Sequence, residues 1–440
     1  MLRKQTVALL AATALCSVAF APAASADSLQ ELKSQLQKLQ KKVAELEKQQ
    51  KKSESSHSTN NLNVKWKGAP EFSSADGQFK MKIRGRMYFD YGSVSVKDGS
   101  GTSIPSDKVN GTEVRTARLG VEGVLFKDIK YKFEADFEGN KTTVKDAYIQ
   151  YNFKPLAIKV GQFKHMNSLE EQTSSRYITF MERASFTDAF KLSRRVGIAI
   201  GSHGKNWTAN AGYFFEGFGS TNGSKNDENL FAARVTFSPE VADSVKIHLG
   251  SSFFTRNKNG MSFNHGYSQK PHNHQSGKLT SSQKFDIDRE TFFGLEMAGV
   301  MGPFALQTEW AWMKNSLAAT ETATSNDPSY NGGYVELSYF VTGESRSYHS
   351  KKGSFGRTKV KNAVTEGGMG AWQLAAKYDV IDLTHETFGE KQDTYLLGVN
   401  WYLNNYARVM ANYSHSNVKD YNSVTNNKID AFGARFQVDW

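Results

Sequence analysis

The chain has one cysteine in 440 residues, only eight prolines, and no apolar run after residue 26 that reaches the roughly 18 residues a membrane helix needs. Each scarcity removes a class of protein. Cys16 lies in a stretch that reads as a secretory leader: Arg3 and Lys4, an apolar run over 7–20, then Ala24, Ser25 and Ala26 before Asp27. Leu15 stands before Cys16 where lipoprotein processing wants a small residue. Cleavage after Ala26 is expected to leave a cysteine-free chain, which excludes disulfides and thiolate chemistry. The missing apolar run excludes a helical membrane protein but leaves a barrel open. Half of each barrel strand faces water, so a mean hydropathy of −0.54 hides the membrane signal by averaging.

What is present suits that alternative. Tyrosine (18), phenylalanine (29) and glycine (36) are plentiful beside the few prolines, as in a long β-rich chain. The formal charge is +11, and removing Arg3 and Lys4 leaves +9, so the exported chain is cationic and favours anionic partners.

Residues 27–52 form a separate element. Leu29, Leu32, Leu36, Leu39, Val43 and Leu46 follow the alternating three- and four-residue spacing of heptad a and d positions, which predicts a short coiled-coil helix. A lone helix of this length is marginal in water, so self-association is expected. An amphipathic helix laid on a barrel or membrane surface is the other reading. Residues 53–78, rich in Ser and Asn, read as a linker.

From residue 79 to 440 the pattern is alternation. Phe79, Met81, Ile83, Met87, Phe89 and Tyr91 share one parity, while Lys80, Lys82, Arg84, Arg86, Tyr88 and Asp90 share the other. Ile129, Tyr131, Phe133, Ala135 and Phe137 alternate with Lys130, Lys132, Glu134, Asp136 and Glu138. The last strand sets Phe432, Ala434, Phe436, Val438 and Trp440 against Gly433, Arg435, Gln437 and Asp439. Such segments recur sixteen times, which predicts an all-β fold: a 16-stranded antiparallel transmembrane β-barrel preceded by the helix. Arg or Lys at the bilayer midplane costs about 2–4 kcal/mol, so the charged parity must face the lumen.

Link lengths agree with a barrel that has short turns at one end and long loops at the other. Links after even strands are short and those after odd strands are long, as at 164–192 and 257–290. The exception is 343–370, a long basic link placed by parity at the short-turn, periplasmic end. Either it hides a hairpin or it folds into the pore.

Inward parity carries Lys80, Lys82, Arg84, Arg86, Arg118, Lys130, Lys132, Arg195, Arg234, Arg408 and Arg435 against Glu122, Glu134, Asp136, Glu296 and Glu309, eleven cations to five acids. Arginine and lysine rings select anions, and the guanidinium fork fits phosphate oxygens. Cations paired to wall carboxylates across strands are the plainer alternative. Arg194, on the opposite parity to Arg195, is placed at the rim.

Several stretches taken together resemble the phosphate-selective porin O/P family. They are Val114-Arg-Thr-Ala-Arg-Leu-Gly-Val-Glu-Gly, Tyr131-Lys-Phe-Glu-Ala-Asp-Phe, Val160-Gly-Gln-Phe-Lys with Leu169-Glu, Met181-Glu-Arg, Thr342-Gly-Glu-Ser-Arg-Ser-Tyr and Gly398-Val-Asn-Trp-Tyr-Leu-Asn. The resemblance implies a trimeric sixteen-stranded outer-membrane porin with an arginine-lined path for inorganic phosphate, polyphosphate or other small anions, and with loops folded inward. It points to 164–192 and 343–370 as constriction segments, with Lys164, Arg176, Arg183, Arg346, Lys351, Lys352 and Arg357 as candidate residues. The chain departs from the family at Asn167-Ser168-Leu169-Glu170. A general diffusion porin and an outer-membrane structural anchor are the alternatives.

Other chemistry finds no constellation. His265, His272 and His274 lie in the longest loop without a cysteine or carboxylate to complete a metal site, and read as solvated. No Ser–His–Asp arrangement is recognisable, so neither an enzyme nor a cofactor is expected. Outer-membrane lipid is an expected partner; nucleic acid is not.

Overall fold

A computed structural model describes residues 26–57, 62–66, 68–104, 108–215, 229–242, 245–257, 264–319, 321, 326–420 and 426–440. Residues 1–25 of the expected leader, Cys16 among them, lie outside the described residues. Two compact units are present, residues 1–63 with 74–76, and 64–73 with 77–440.

In the first unit, helix α1 spans Ala26–His57. It runs past the expected end at residue 52 because Lys51, Lys52 and Glu54 continue its run of helix formers. Leu36, Leu39, Val43 and Leu46 stand half or more exposed along it.

The second unit is a barrel of sixteen long strands. The first eight are β1 (Lys80–Lys97), β2 (Val109–Leu125), β3 (Ile129–Asp136), β4 (Thr143–Phe153), β5 (Leu156–Lys164), β6 (Arg194–His203), β7 (Trp207–Phe214) and β8 (Asn229–Phe237). The rest are β9 (Val245–Asn257), β10 (Phe285–Met301), β11 (Phe304–Leu317), β12 (Ser329–Phe340), β13 (Ala371–Asp382), β14 (Glu390–Tyr402), β15 (Ala407–Asp420) and β16 (Asn426–Asp439). Each pairs antiparallel with the next, and β16 returns to β1 with Asp439 opposite Arg86, so no edge is left open. Part of the expected linker is also strand: Pro70–Ser74 lies beside the start of β1, with Glu71 opposite Lys82.

Parity behaves as hydrocarbon on one side and water on the other require. Arg86 is 3% exposed and faces the lumen, while Phe89, at 45%, faces outward. Leu119, Phe133, Ile149 and Leu397 are likewise outward and exposed. The alternation slips at two bulges in the basic part of the wall. Tyr88 pairs with Thr116 and Phe89 with Val114, so Arg115 is an extra residue. Glu134 pairs with Asp146 and Ala135 with Val144, which leaves Lys145 extra. A bulge re-aims the inserted side chain.

The links at 165–193, 264–284 and 341–370 pack inside the barrel. The first carries two short helices, α2 (Leu169–Gln172) and α3 (Ser185–Ala189). Its apolar residues Phe186, Ala189 and Phe190 join Phe254, Phe292, Tyr330 and Ile381 from the wall in the largest buried cluster. The 341–370 link resolves the exception in the link pattern in both senses. It holds a small hairpin, Tyr348 opposite Phe355, and it folds inward to place the Phe355 amide 3.2 Å from the Thr173 hydroxyl.

Candidate functional site

Irregular backbone at membrane depth survives only where protein satisfies its polar groups. The 165–193 loop meets that condition with wall side chains. Arg408 donates to the Ile178 carbonyl at 2.9 Å, Asn400 to Thr179 at 2.9 Å, Arg435 to Met181 at 2.7 Å and Gln437 to Arg176 at 3.2 Å. At its other side the Leu169 and Glu170 amides each donate to the Glu309 carboxylate at 2.8 Å, and the Tyr334 hydroxyl does so at 2.7 Å. Glu170 in turn accepts from Lys377 at 2.8 Å and from the Ala184 amide at 2.7 Å. Lys377 is buried between Glu170 and Glu336, the latter 3.1 Å away. The loop is thus seated on β11–β16 and leaves its gap toward β1–β6.

That gap is a cavity of about 270 Å³. Eleven cations line it: Arg84, Arg86, Arg115, Arg118, Lys132, Lys159, Lys164, Arg176, Arg183, Arg194 and Arg435. Among the described residues nine carboxylates are in ion-pair contact with them, including Glu134 with Arg86 at 3.0 Å, Asp136 with Arg118 at 2.7 Å, Asp146 with Arg194 at 2.7 Å and Asp90 with Arg435 at 2.6 Å. Asp136 and Asp439 are also shared with Lys145 and Arg357. Only Asp146 and Glu182 among the nine reach the cavity wall. The rest stand behind the cations. The expected pairing across strands is therefore present, yet the surface a solute would meet is almost wholly positive.

Two loop carboxylates keep this arrangement ionised. Burial opposes the charge on Glu182, but Arg115 at 3.0 Å and Arg435 at 3.0 Å outweigh it and hold the group well below the usual carboxylate range. Glu171 is buried too and is held down by Arg183 and Lys164. Two donors of the cavity cations, Arg86 Nε and Arg176 Nε, are buried without a hydrogen-bond partner among the described residues.

Of the residues expected from the sequence, Arg84, Arg86, Arg118, Lys132, Lys164, Arg176, Arg183 and Arg435 meet at this cavity. Lys80, Lys82 and Lys130 line a second one, about 280 Å³, toward the short turns. Others go elsewhere. Arg195, opposite the cavity residue Phe163, donates to the Phe215 carbonyl at 3.4 Å and does not line the cavity, whereas Arg194, expected at the rim, does so beside Lys164, its cross-strand partner. Both sit at strand ends, where parity no longer governs direction. Arg234 is sealed by Glu296 at 2.6 Å and the Gly353 carbonyl at 2.8 Å. Arg346 is sealed by Glu336 at 3.2 Å and the Phe355 ring. These two brace the 341–370 link and do not line the cavity. Lys351 and Lys352 sit exposed on a 3₁₀ turn. Arg357 stacks on Tyr406 beside Asp439.

Sequence parity misses Arg115, because a bulge has no period-two signature. It also misses Lys159, whose ammonium lies 4.7 Å from the Tyr148 ring centroid and 4.9 Å from that of Phe163. The histidine loop is a further correction. Rather than solvated, His272 is buried 3.5 Å from Asp379, His265 lies 2.7 Å from Glu290 and His274 2.9 Å from Glu113. Each histidine meets a carboxylate of a different strand, and among the described residues no three potential ligands gather around one point.

Comparison with known proteins follows the same lines. The family model described as phosphate-selective porin O and P matches residues 81–440. An uncharacterised protein of Caulobacter vibrioides is 31% identical over 395 residues, 86% of this chain and 77% of that one. Porin O of Pseudomonas aeruginosa is 26% identical over 415 residues, covering 86% and 91%. Among solved structures, the trimer form of Vibrio cholerae OmpT superposes with TM-score 0.52 at 13% identity, covering 82% of this chain and 99% of that one. An anion-selective porin from Comamonas acidovorans gives 0.51 at 12%, covering 82% and 100%.

Proposed function

This chain belongs to the phosphate-selective porin O and P family, and from that premise we propose that its lumen is an anion path in which inorganic phosphate binds in transit. The protein is an outer-membrane β-barrel porin, a channel rather than an enzyme. The observation that carries the phosphate reading is the cavity wall, with eleven cations facing the gap and only two acids among them. Such a surface concentrates anions, and guanidinium forks match tetrahedral oxyanions. The unpartnered Arg86 and Arg176 Nε donors add support, since a buried N–H without an acceptor is costly and an oxyanion supplies one. The candidate site is Arg84, Arg86, Arg115, Arg118, Lys132, Lys159, Lys164, Arg176, Arg183, Arg194 and Arg435, with Lys80, Lys82 and Lys130 at the exit.

The reading extends to assembly. A homotrimer is supported by the likeness to Vibrio cholerae OmpT, a porin-fold neighbour solved in a trimer form, and by the exposed a and d stripe of α1, which a second and third copy would cover. Export by a leader cleaved after Ala26 would put α1 in the periplasm. If deleting residues 27–60 leaves the thermal stability of the assembly unchanged, the helix serves something else.

Purified protein in a planar bilayer tests the channel reading. A potassium chloride gradient should give a reversal potential set by chloride, and added inorganic phosphate should block the chloride current. Cation preference, or anion preference without block, would leave a general diffusion porin.

A further inference from the structure

A channel that binds its solute must also let it go. On the phosphate reading above, on which this inference rests, release has to occur at the exit of the main cavity. That cavity and the lysine-lined one toward the short turns share Tyr148. Beside it, Arg84 on the first cavity is bound to Glu122 on the second. Together they form the partition between the two spaces.

This ion pair differs from the others around the cavity. Glu122 is 36% exposed, against 28% or less for the other eight carboxylates, and Arg84 is 19% exposed. An ion pair in contact with water is worth little, so its partners exchange readily. Glu122 is Arg84's one carboxylate among the described residues. If Arg84 turns to another anion, Glu122 is not stranded, because Lys82 on β1 and Lys132 on β3 stand directly opposite it.

We propose that Arg84 and Glu122, flanked by Tyr148, form an exchange gate that sets how long an oxyanion is held before it leaves. Arg84 releases Glu122 and takes the oxyanion arriving from the cavity. Glu122, held meanwhile by Lys82, then competes for Arg84 and drives the anion on toward Lys80 and Lys130. The carboxylate is a built-in competitor that prevents the cavity from becoming a trap.

Single channels of the full-length protein, with inorganic phosphate as blocker, decide it. Glu122→Gln removes the competitor while keeping the shape, so the half-blocking phosphate concentration should fall about three-fold and each block should last about three-fold longer. Arg84→Lys keeps the charge but loses the fork, and should weaken and shorten the block. Ile158→Ala, on the outer face of β5 between the exposed Tyr151 and Ile200, should match wild type. Unchanged or weaker block in Glu122→Gln, with wild type blocked normally, overturns the gate and leaves the phosphate path standing. No block in wild type overturns both. Should Glu122→Gln fail to form channels, Arg84→Lys decides alone: an unchanged dwell time refutes the gate.

Discussion

The two sides of the lumen use the same residue types in opposite order. Along β8–β13 the inward acids are consumed as anchors. Glu309 is taken by two backbone amides and Tyr334, Glu296 by Arg234 and His248, and Glu336 by Lys377 and Arg346. Along β1–β6 the acids stand behind and the cations in front, facing open space. The comparison separates two uses of buried charge. On the anchor side each charge is matched so that a loop can be held, and on the cavity side the matching supports a surplus aimed at solute.

On that division the largest loss of stability comes from the anchor side. Lys377→Met leaves Glu170 and Glu336 without their shared cation, at a cost of about 3–5 kcal/mol. The thermal unfolding midpoint should fall and single-channel conductance should widen as the 165–193 loop comes free; an unchanged midpoint would break the comparison. Glu309→Gln keeps one acceptor for two amides and should cost about 1–3 kcal/mol in the same assay.

On the cavity side the readouts should swap. Arg115→Ala should raise the half-blocking phosphate concentration about ten-fold, through loss of a charged donor, with a smaller change in the unfolding midpoint than either anchor variant gives. Acid sharpens the contrast further. Glu171 and Glu182 both have folded pKa values below the ordinary range. Their stabilisation is therefore complete above the unfolded glutamate value of about 4.3 and is lost as pH falls below it, through the lowered folded values. The contribution of these two carboxylates to the unfolding midpoint should be flat from pH 8 to about 5 and fall only in stronger acid. The smallest effect is expected on the outer face of the wall at Gly299, where an added Cβ meets nothing within 4 Å. Gly299→Val should shift stability by less than about 0.5 kcal/mol and leave selectivity alone.

How much of this can be read from the sequence follows from the range of the forces involved. Strand parity is a local signal, so all sixteen strands and the inward direction of Arg84, Arg86 and Glu309 are legible from alternation. What Glu309 does is not, because its partners Leu169 and Glu170 are some 140 residues away. Parity places Arg194 at the rim, yet it lines the cavity, because strand ends escape the pleat. The histidine loop reads as solvated because its acids, Glu113, Glu290 and Asp379, are scattered along the chain and meet it only in the folded barrel.

The bulge at Arg115 has a consequence for how such a channel can change. A strand that alternates between oil and water is a two-letter reading frame, and a one-residue insertion should scramble every letter after it. Here the extra letter is absorbed where it stands. Val114 still faces outward opposite Phe89, and Thr116 inward opposite Tyr88. Deleting Arg115 would therefore leave a strand in phase from end to end, minus one positive charge in the pore. Lys145 occupies an equivalent place in β4. Pore charge at these two positions can be added or erased by whole-codon insertion and deletion, a route that leaves the lipid-facing text of the wall untouched.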